Sequence, residues 1–248
     1  MTAALALEHV TLRIGGTPVL DDLCLEVQPS EVVVLVGPSG SGKTSVLRVL
    51  LGLVVPQRGA VRLAGDVATD DGRLVLPTEE RGLTVIHQDL ALWPHLTVAG
   101  NLEFGLVSKG IAGDERPRRI ATMLERVDLT GKEQRYPSEL SGGEQQRVAI
   151  ARALVLEPAA VLLDEPLANL DVVRKAELIT MFRELLQERD VAALYVTHDA
   201  REAVSLGGRI AVLEQGRIVQ LDSARGLRER PATSFVEAFV ADVPTLEG

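Results

Sequence analysis

Cysteine is nearly absent: Cys24 is the only one in 248 residues. An internal disulfide is therefore excluded, as is any zinc or iron–sulfur site built from cysteines, and a reducing, intracellular compartment is expected. Positive charge is also short, with 26 Lys plus Arg against 35 Asp plus Glu and a net charge of −9. No global positive field exists to hold a nucleic-acid backbone or an anionic bilayer, so nucleic acid is not an expected partner. No apolar run approaches the roughly 18 residues of a membrane span. The N-terminus has neither a basic segment ahead of its apolar stretch nor a clear cleavage site, so the chain is expected to be neither exported nor membrane-spanning by itself. Repeats and linker-like stretches are missing as well.

What is present has ordinary globular makeup, 46% hydrophobic and 25% charged, and 248 residues are enough for a sizeable core. Leu5, Leu7 and Val10, then Val19, Leu23, Leu25 and Val27, read as short alternating strands about the turn signal Gly15-Gly16-Thr17-Pro18. The run Val32-Val33-Val34-Leu35-Val36 has the character of a strand buried on both faces of a parallel sheet. Val46, Leu47, Leu50 and Leu51 follow as a helical stripe. Strands are predicted at 83–86 and 160–163, and the spacing between them is helical, as in Ile120, Met123, Leu124 and Val127. A helix carrying Ala176, Ile179, Phe182 and Leu185 comes next, then a strand at 192–196 and two strands, 210–213 and 217–221, about a Gln215-Gly216 turn. This alternation predicts an α/β fold with a mostly parallel sheet. One domain is expected over 1–240, with a core from 1–88 and 159–240, a helical insertion at 89–158, and a short frayed tail at 241–248.

Gly37-Pro38-Ser39-Gly40-Ser41-Gly42-Lys43-Thr44 matches the phosphate-binding loop pattern and sits between a buried strand and a helix, where that chemistry requires it. Glycines let backbone N–H groups turn inward around phosphate oxygens, and the helix start adds partial positive charge. Lys43 is placed to bridge the β and γ phosphates, and Thr44 to offer a hydroxyl to Mg²⁺. A flexible glycine turn would not need this spacing or this context. Val161-Leu162-Leu163-Asp164-Glu165 is a buried strand ending in two carboxylates, the arrangement that metal-assisted hydrolysis uses at the carboxyl edge of a sheet. Asp164 is expected in the Mg²⁺ shell and Glu165 on the attacking water. Alternation along the strand predicts that the two acids point apart and need not compete.

The next stretch carries a resemblance. Leu140-Ser141-Gly142-Gly143-Glu144-Gln145-Gln146-Arg147 resembles the signature motif of ATP-binding cassette (ABC) proteins, and Asp164-Glu165-Pro166-Leu167-Ala168-Asn169-Leu170-Asp171 looks like their Walker B motif plus D-loop. Gln88 falls at the Q-loop position, and Thr197-His198-Asp199 is similar to the switch-histidine loop. Motif order agrees over about residues 5–240. The resemblance implies a P-loop (RecA-like) core with an N-terminal antiparallel β subdomain and an inserted helical signature subdomain. It implies ATP and Mg²⁺ as cofactors, held by Gly37, Pro38, Ser39, Gly40, Ser41, Gly42, Lys43, Thr44 and Ser45, with Gln88 joining Thr44 and Asp164 at the metal. Glu165, His198 and Gln88 are the implied catalytic residues. Ser141, Gly142, Gly143 and Asp171 are implied to act across a head-to-tail dimer, on nucleotide held by a second copy or a homologous ATPase subunit. Ser141 with Glu144 three residues later also reads as a helix capping box, and both readings can hold together.

Glu80-Arg81-Gly82-Leu83-Thr84, the segment from Gln88 to Val98, and Asn101 are similar to the importers that work with a solute-binding protein. That implies a groove for the coupling helices of a membrane permease, lined by Trp93 and Phe104 if these are not core, and a peripheral place on the cytoplasmic face of the inner membrane. The family's adenine-stacking aromatic is missing from Leu12-Arg13-Ile14, leaving Ile14 as the expected adenine contact with Arg13 as the alternative on the opposite strand face. His87 stands where the family often has Phe. The chain ends at Gly248, so the C-terminal regulatory domain of several relatives is not expected. A soluble cassette ATPase that remodels protein or nucleic acid is the alternative; it should show a coiled coil, a zinc module or a basic face. A nucleotide-gated module that barely hydrolyses would have no use for Glu165 and His198.

Overall fold

Two consecutive glycines with positive φ, Gly15 at +57° and Gly16 at +83°, close the first hairpin between β1 (Leu5–Ile14) and β2 (Thr17–Val27). A two-residue turn with both residues left-handed matches the twist of its flanking strands. These strands are 10 and 11 residues long, and pairing extends their sheet to β4 (Arg58–Leu63), β5 (Asp66–Asp70) and β6 (Arg73–Leu74) in the order β2-β1-β4-β5-β6. The computed structural model describes residues 2–168 and 170–241. In chain order the elements after β2 are β3 (Val32–Val36), α1 (Lys43–Leu50), β4 (Arg58–Leu63), β5 (Asp66–Asp70), β6 (Arg73–Leu74) and β7 (Leu83–Ile86). Then come α2 (Val98–Ser108), α3 (Glu115–Arg126), α4 (Gly142–Leu154), β8 (Ala160–Asp164), α5 (Val172–Glu188) and β9 (Ala192–Val196). The chain continues with α6 (Ala200–Leu206), β10 (Arg209–Glu214), β11 (Arg217–Asp222), α7 (Ala224–Glu229) and α8 (Ser234–Ala241).

The second sheet has the order β11-β10-β3-β9-β8-β7, parallel except for the edge hairpin β10–β11. β3 lies inside it, and Val33, Val34, Leu35 and Val36 are each 0% exposed. Full burial of such side chains contributes about 1.5–3 kcal/mol each, which is why the β-branched run takes an interior position. Period-two alternation splits the sheet's side chains between two cores. Val34, Val36, Val161, Leu163, Ala193 and Tyr195 face one, whereas Val33, Leu35, Ala160, Leu162, Ala192 and Leu194 join α1 and the antiparallel sheet in the other. The mostly parallel α/β architecture expected from the sequence is therefore present. The carboxyl ends of β3, β9, β8 and β7 share one edge, where ligands of open parallel sheets gather.

Two differences concern detail. Strands β4 to β6 fall in a stretch for which no strand is predicted. Ala176 is exposed, and α5 buries Leu178, Ile179, Phe182, Leu185 and Leu186 instead. The tail expectation at 241–248 lies outside the described residues from 242 on, as does Asn169. Among the described residues, no helix is long and apolar enough to cross a membrane.

Candidate functional site

The loop from β3 to α1 is built by close approach of backbone. A Cβ on Gly37 would sit 2.1 Å from the Leu213 carbonyl oxygen on β10, and one on Gly42 would sit 2.9 Å from the Val19 carbonyl oxygen. Gly42 also holds φ +111° and caps α1 without any side-chain bond, and the first turn of α1 contains no acid. The N–H groups and partial positive charge of that helix start are thus left uncompensated by the protein, an arrangement suited to an anion. The Lys43 ammonium lies in the same loop and donates to the Gly37 carbonyl at 2.7 Å and the Pro38 carbonyl at 3.1 Å. Burial lowers its pKa, and the charges of Glu165 and Asp164 oppose that shift.

An open cleft of about 390 Å³ lies over this loop, lined by Val19, Ser39, Gly40, Gly42, Lys43, Thr44, Ser45, Glu165 and His198. Two expected site residues from the ends of neighbouring strands meet here: Glu165 Oε2 is 2.9 Å from His198 Nδ1. Glu165 stands just beyond β8 with φ +46°, and its N–H donates to the Val196 carbonyl of β9 at 3.0 Å. The left-handed turn takes its side chain out of the strand's alternation and toward the mouth of the cleft. Asp164 continues the face of Ala160 and Leu162, the face packed toward α1. Contrary to the expectation from alternation, the two acids do compete. Burial raises the Asp164 pKa first and the charge of Glu165 raises it further, while His87, Arg48 and Lys43 pull it down. The Thr44 hydroxyl and the Asp164 carboxylate are the oxygen donors a hard divalent cation prefers.

Gln88 is exposed in the turn after β7, one strand beyond Asp164, and is not among the residues lining the cleft. Ser141 caps α4: its N–H donates to Glu144 Oε2 at 2.7 Å and its hydroxyl accepts from the Glu144 N–H at 3.4 Å, completing the predicted capping box. Lys132 pairs with the same carboxylate and, with Ser141, lowers the Glu144 pKa to about 2. A Cβ on Gly142 or Gly143 would meet no neighbour closer than 4.0 Å, so packing does not require glycine at either position. Asp171 caps α5 through the Arg174 N–H at 3.1 Å and is followed by the exposed Val172 and Val173. None of Ser141, Gly142, Gly143 and Asp171 lines the cleft of its own chain.

Ile14 and Arg13 are both exposed at the hairpin tip, and the strict alternation expected there is broken. Leu12 pairs with Leu20 but Arg13 pairs with Pro18, so Val19 is an extra residue on β2. A bulge of this kind re-aims a side chain, and it is Val19, not Ile14, that lines the cleft. No sequence signal marked it, because the bulge arises from the mismatch between two paired strands. A second residue that sequence reading did not single out for structure is Arg81, only 3% exposed. Its guanidinium donates to the carbonyls of Leu76, Val49, Leu50 and Ala68 and to the Thr69 hydroxyl at 2.6–3.1 Å, tying the end of α1 to the antiparallel sheet. Away from the cleft, Trp93 and Phe104 pack with ring centroids 4.5 Å apart, and the Arg152 guanidinium lies 4.8 Å from the Trp93 centroid. Phe104 is 54% exposed, so this pair is surface rather than core.

Residues 20–168, more than half of the chain, match the family described as ABC transporter. Over 235 residues the chain is 43% identical to the Fe(3+) ions import ATP-binding protein FbpC of Rhizobium etli, covering 95% of this chain and 65% of that protein. The same-named protein of Brucella suis biovar 1 is 44% identical over 235 residues, with the same coverage of 95% and 65%. That of Pasteurella multocida is 39% identical over 244 residues, 98% of this chain and 68% of that protein. The chain thus spans about two thirds of the length of these curated relatives. With the phosphate loop, the paired carboxylates and the capped signature helix in one fold, the chain belongs to the ABC transporter family.

Proposed function

We propose that the chain is the ATP-hydrolysing motor of an importer. The observation that carries this reading is the meeting of Lys43, Glu165 and His198 in one cleft at the carboxyl edge of the parallel sheet. Nucleotide phosphates would be held by the Gly37–Thr44 loop, the start of α1 and Lys43, with Ser45 beside them. Mg²⁺, when bound, would neutralise phosphate charge, held by Thr44 and Asp164 and approached by Gln88 as its turn moves inward. Glu165 would take the proton of the attacking water, and His198, hydrogen-bonded to it, would fix its orientation.

The site is completed by a second chain. Ser141, Gly142, Gly143 and Asp171 are turned to other surroundings than their own cleft, and the bare Gly142 and Gly143 amides leave room for a γ-phosphate held by the partner. A head-to-tail dimer that closes on two MgATP and reopens after hydrolysis uses every one of these features. The Trp93–Phe104 surface is where coupling helices of a permease would dock, placing the chain on the cytoplasmic face of the membrane with a solute-binding protein acting further off. The names of the relatives favour iron(III) as the solute. With Val19, Arg13 and Ile14 in place of an aromatic ring, stacking worth roughly 1–3 kcal/mol is absent, so ATP and GTP are expected to bind within about tenfold of each other.

Steady-state phosphate release by the purified chain tests the reading. MgATP turnover is expected, with Lys43→Ala losing nucleotide binding; no turnover with or without its membrane partners, or unchanged affinity in Lys43→Ala, would overturn it.

A further inference from the structure

Below the cleft lies a charged cluster to which the proposed hydrolysis assigns no role. Glu202, with a side chain 4% exposed, accepts hydrogen bonds from the Lys175 ammonium at 2.6 Å, the Thr197 hydroxyl at 2.8 Å and the Tyr195 hydroxyl at 3.0 Å. Lys175 also donates to Asp199 Oδ2 at 3.1 Å. Asp199 Oδ1 accepts from the N–H groups of Arg201 and Glu202 at 2.9 and 3.3 Å, and the Asp199 N–H donates to the Thr197 hydroxyl at 3.0 Å. The residues on both sides of His198 are thereby linked to α5, Asp199 directly through the Lys175 ammonium and Thr197 by way of Glu202. Burial alone would lower the Lys175 pKa, but its bonds to Glu202 and Asp199 outweigh that and raise it.

A carboxylate this deep is costly unless its donors are well placed, and apolar side chains of similar size would pack α5 against α6 at least as well. What charge and hydrogen bonds add is direction: they set where the Thr197-His198-Asp199 loop lies relative to α5. We propose that Lys175 and Glu202 are positioning residues that hold His198 within reach of Glu165. The inference rests on the proposed role of that pair in hydrolysis. Lys175 lies one turn beyond Asp171 and the exposed Val172 and Val173, so the same link ties the placement of His198 to the start of α5, the end offered to a second chain.

The test uses the full chain with labelled histidine. Only four histidines are present, and His198→Ala identifies the His198 imidazole signal in an NMR spectrum. In the wild type, Glu165→Gln is expected to shift that signal. In Lys175→Met the signal should already have moved, and adding Glu165→Gln should move it no further. Turnover should fall about tenfold with KM within about twofold, and Lys175→Arg, which keeps the cation, should recover most of it. Glu202→Gln keeps the shape of the side chain and should give the same pattern if Lys175→Met folds poorly. A His198 signal that still responds to Glu165→Gln in the Lys175→Met or Glu202→Gln chain would overturn the proposal, whatever the turnover. Loss of the response with unchanged turnover would leave the positioning role standing and overturn the catalytic role of the pair.

Discussion

Glu165 and His198 are 33 positions apart in the chain, yet Oε2 of one lies 2.9 Å from Nδ1 of the other because β8 and β9 end side by side. His198 is the more exposed, 66% against 24% for the glutamate side chain, so the imidazole stands on the solvent side of the pair. A base on water supplies about 10²–10⁴ in rate. Glu165→Gln is therefore expected to lower turnover by about that factor while nucleotide binding persists, and His198→Ala to lower it by at least about tenfold. Phosphate release at saturating MgATP, alongside a nucleotide-binding titration, checks both.

Arg81 has no carboxylate partner among the described residues, yet it should matter strongly for stability. Truncation leaves the Leu50 and Leu76 carbonyls and the Thr69 hydroxyl without their donor, while the Val49 and Ala68 carbonyls keep backbone N–H donors; each buried polar group left unsatisfied costs about 1–3 kcal/mol, part of which water entry recovers. Arg81→Met is expected to destabilise by about 3 kcal/mol, and Arg81→Lys by nearly as much because an ammonium cannot span the same acceptors. Urea unfolding midpoints measure the difference; a loss within about 0.5 kcal/mol, the range of ordinary surface changes, would contradict the role.

How much of this was legible in the sequence varies by residue for physical reasons. The Gly37–Thr44 loop, the β3 run and the Ser141–Glu144 box are local sequence patterns, and the structure has the loop between β3 and α1, the run as a buried strand and the box as a helix cap. Val19 and Arg81 are not local. One depends on a register shift between paired strands, the other on carbonyls contributed by α1 and β5. Strands β4 to β6 are short and half-exposed, with β6 exposed throughout, so their alternation is too brief to stand out. For Gln88 the strand was legible, but the turn that leaves its side chain outside the cleft was not.

The capping box carries a pH signature. Lys132 and Ser141 lower the Glu144 pKa to about 2 from its usual 4.5, so its stabilisation is complete above about 4.5 and is lost as pH falls toward 2. Wild type should exceed Glu144→Gln in urea midpoint near neutral pH, with the gap narrowing below about pH 4.5. A gap that stays constant down to about pH 3 would contradict the assignment.

The proposed sharing of sites between two chains is open to a mixing experiment. Ser141→Arg blocks the proposed composite pocket, and Lys43→Ala disables the loop, so each variant alone should lose turnover at least about tenfold. In a mixed dimer both defects fall on one site and the other is intact. Equal mixing makes about half the dimers mixed, so about a quarter of wild-type turnover should return, one intact site turning over alone. No recovery with mixed dimers demonstrated would contradict the shared site.

The most direct measurement is the mass of Glu165→Gln by size-exclusion chromatography with light scattering, with and without MgATP. The expected result is a dimer of twice the chain mass with two nucleotides retained, and a monomer without nucleotide. A monomer at every nucleotide concentration that saturates binding would contradict the account.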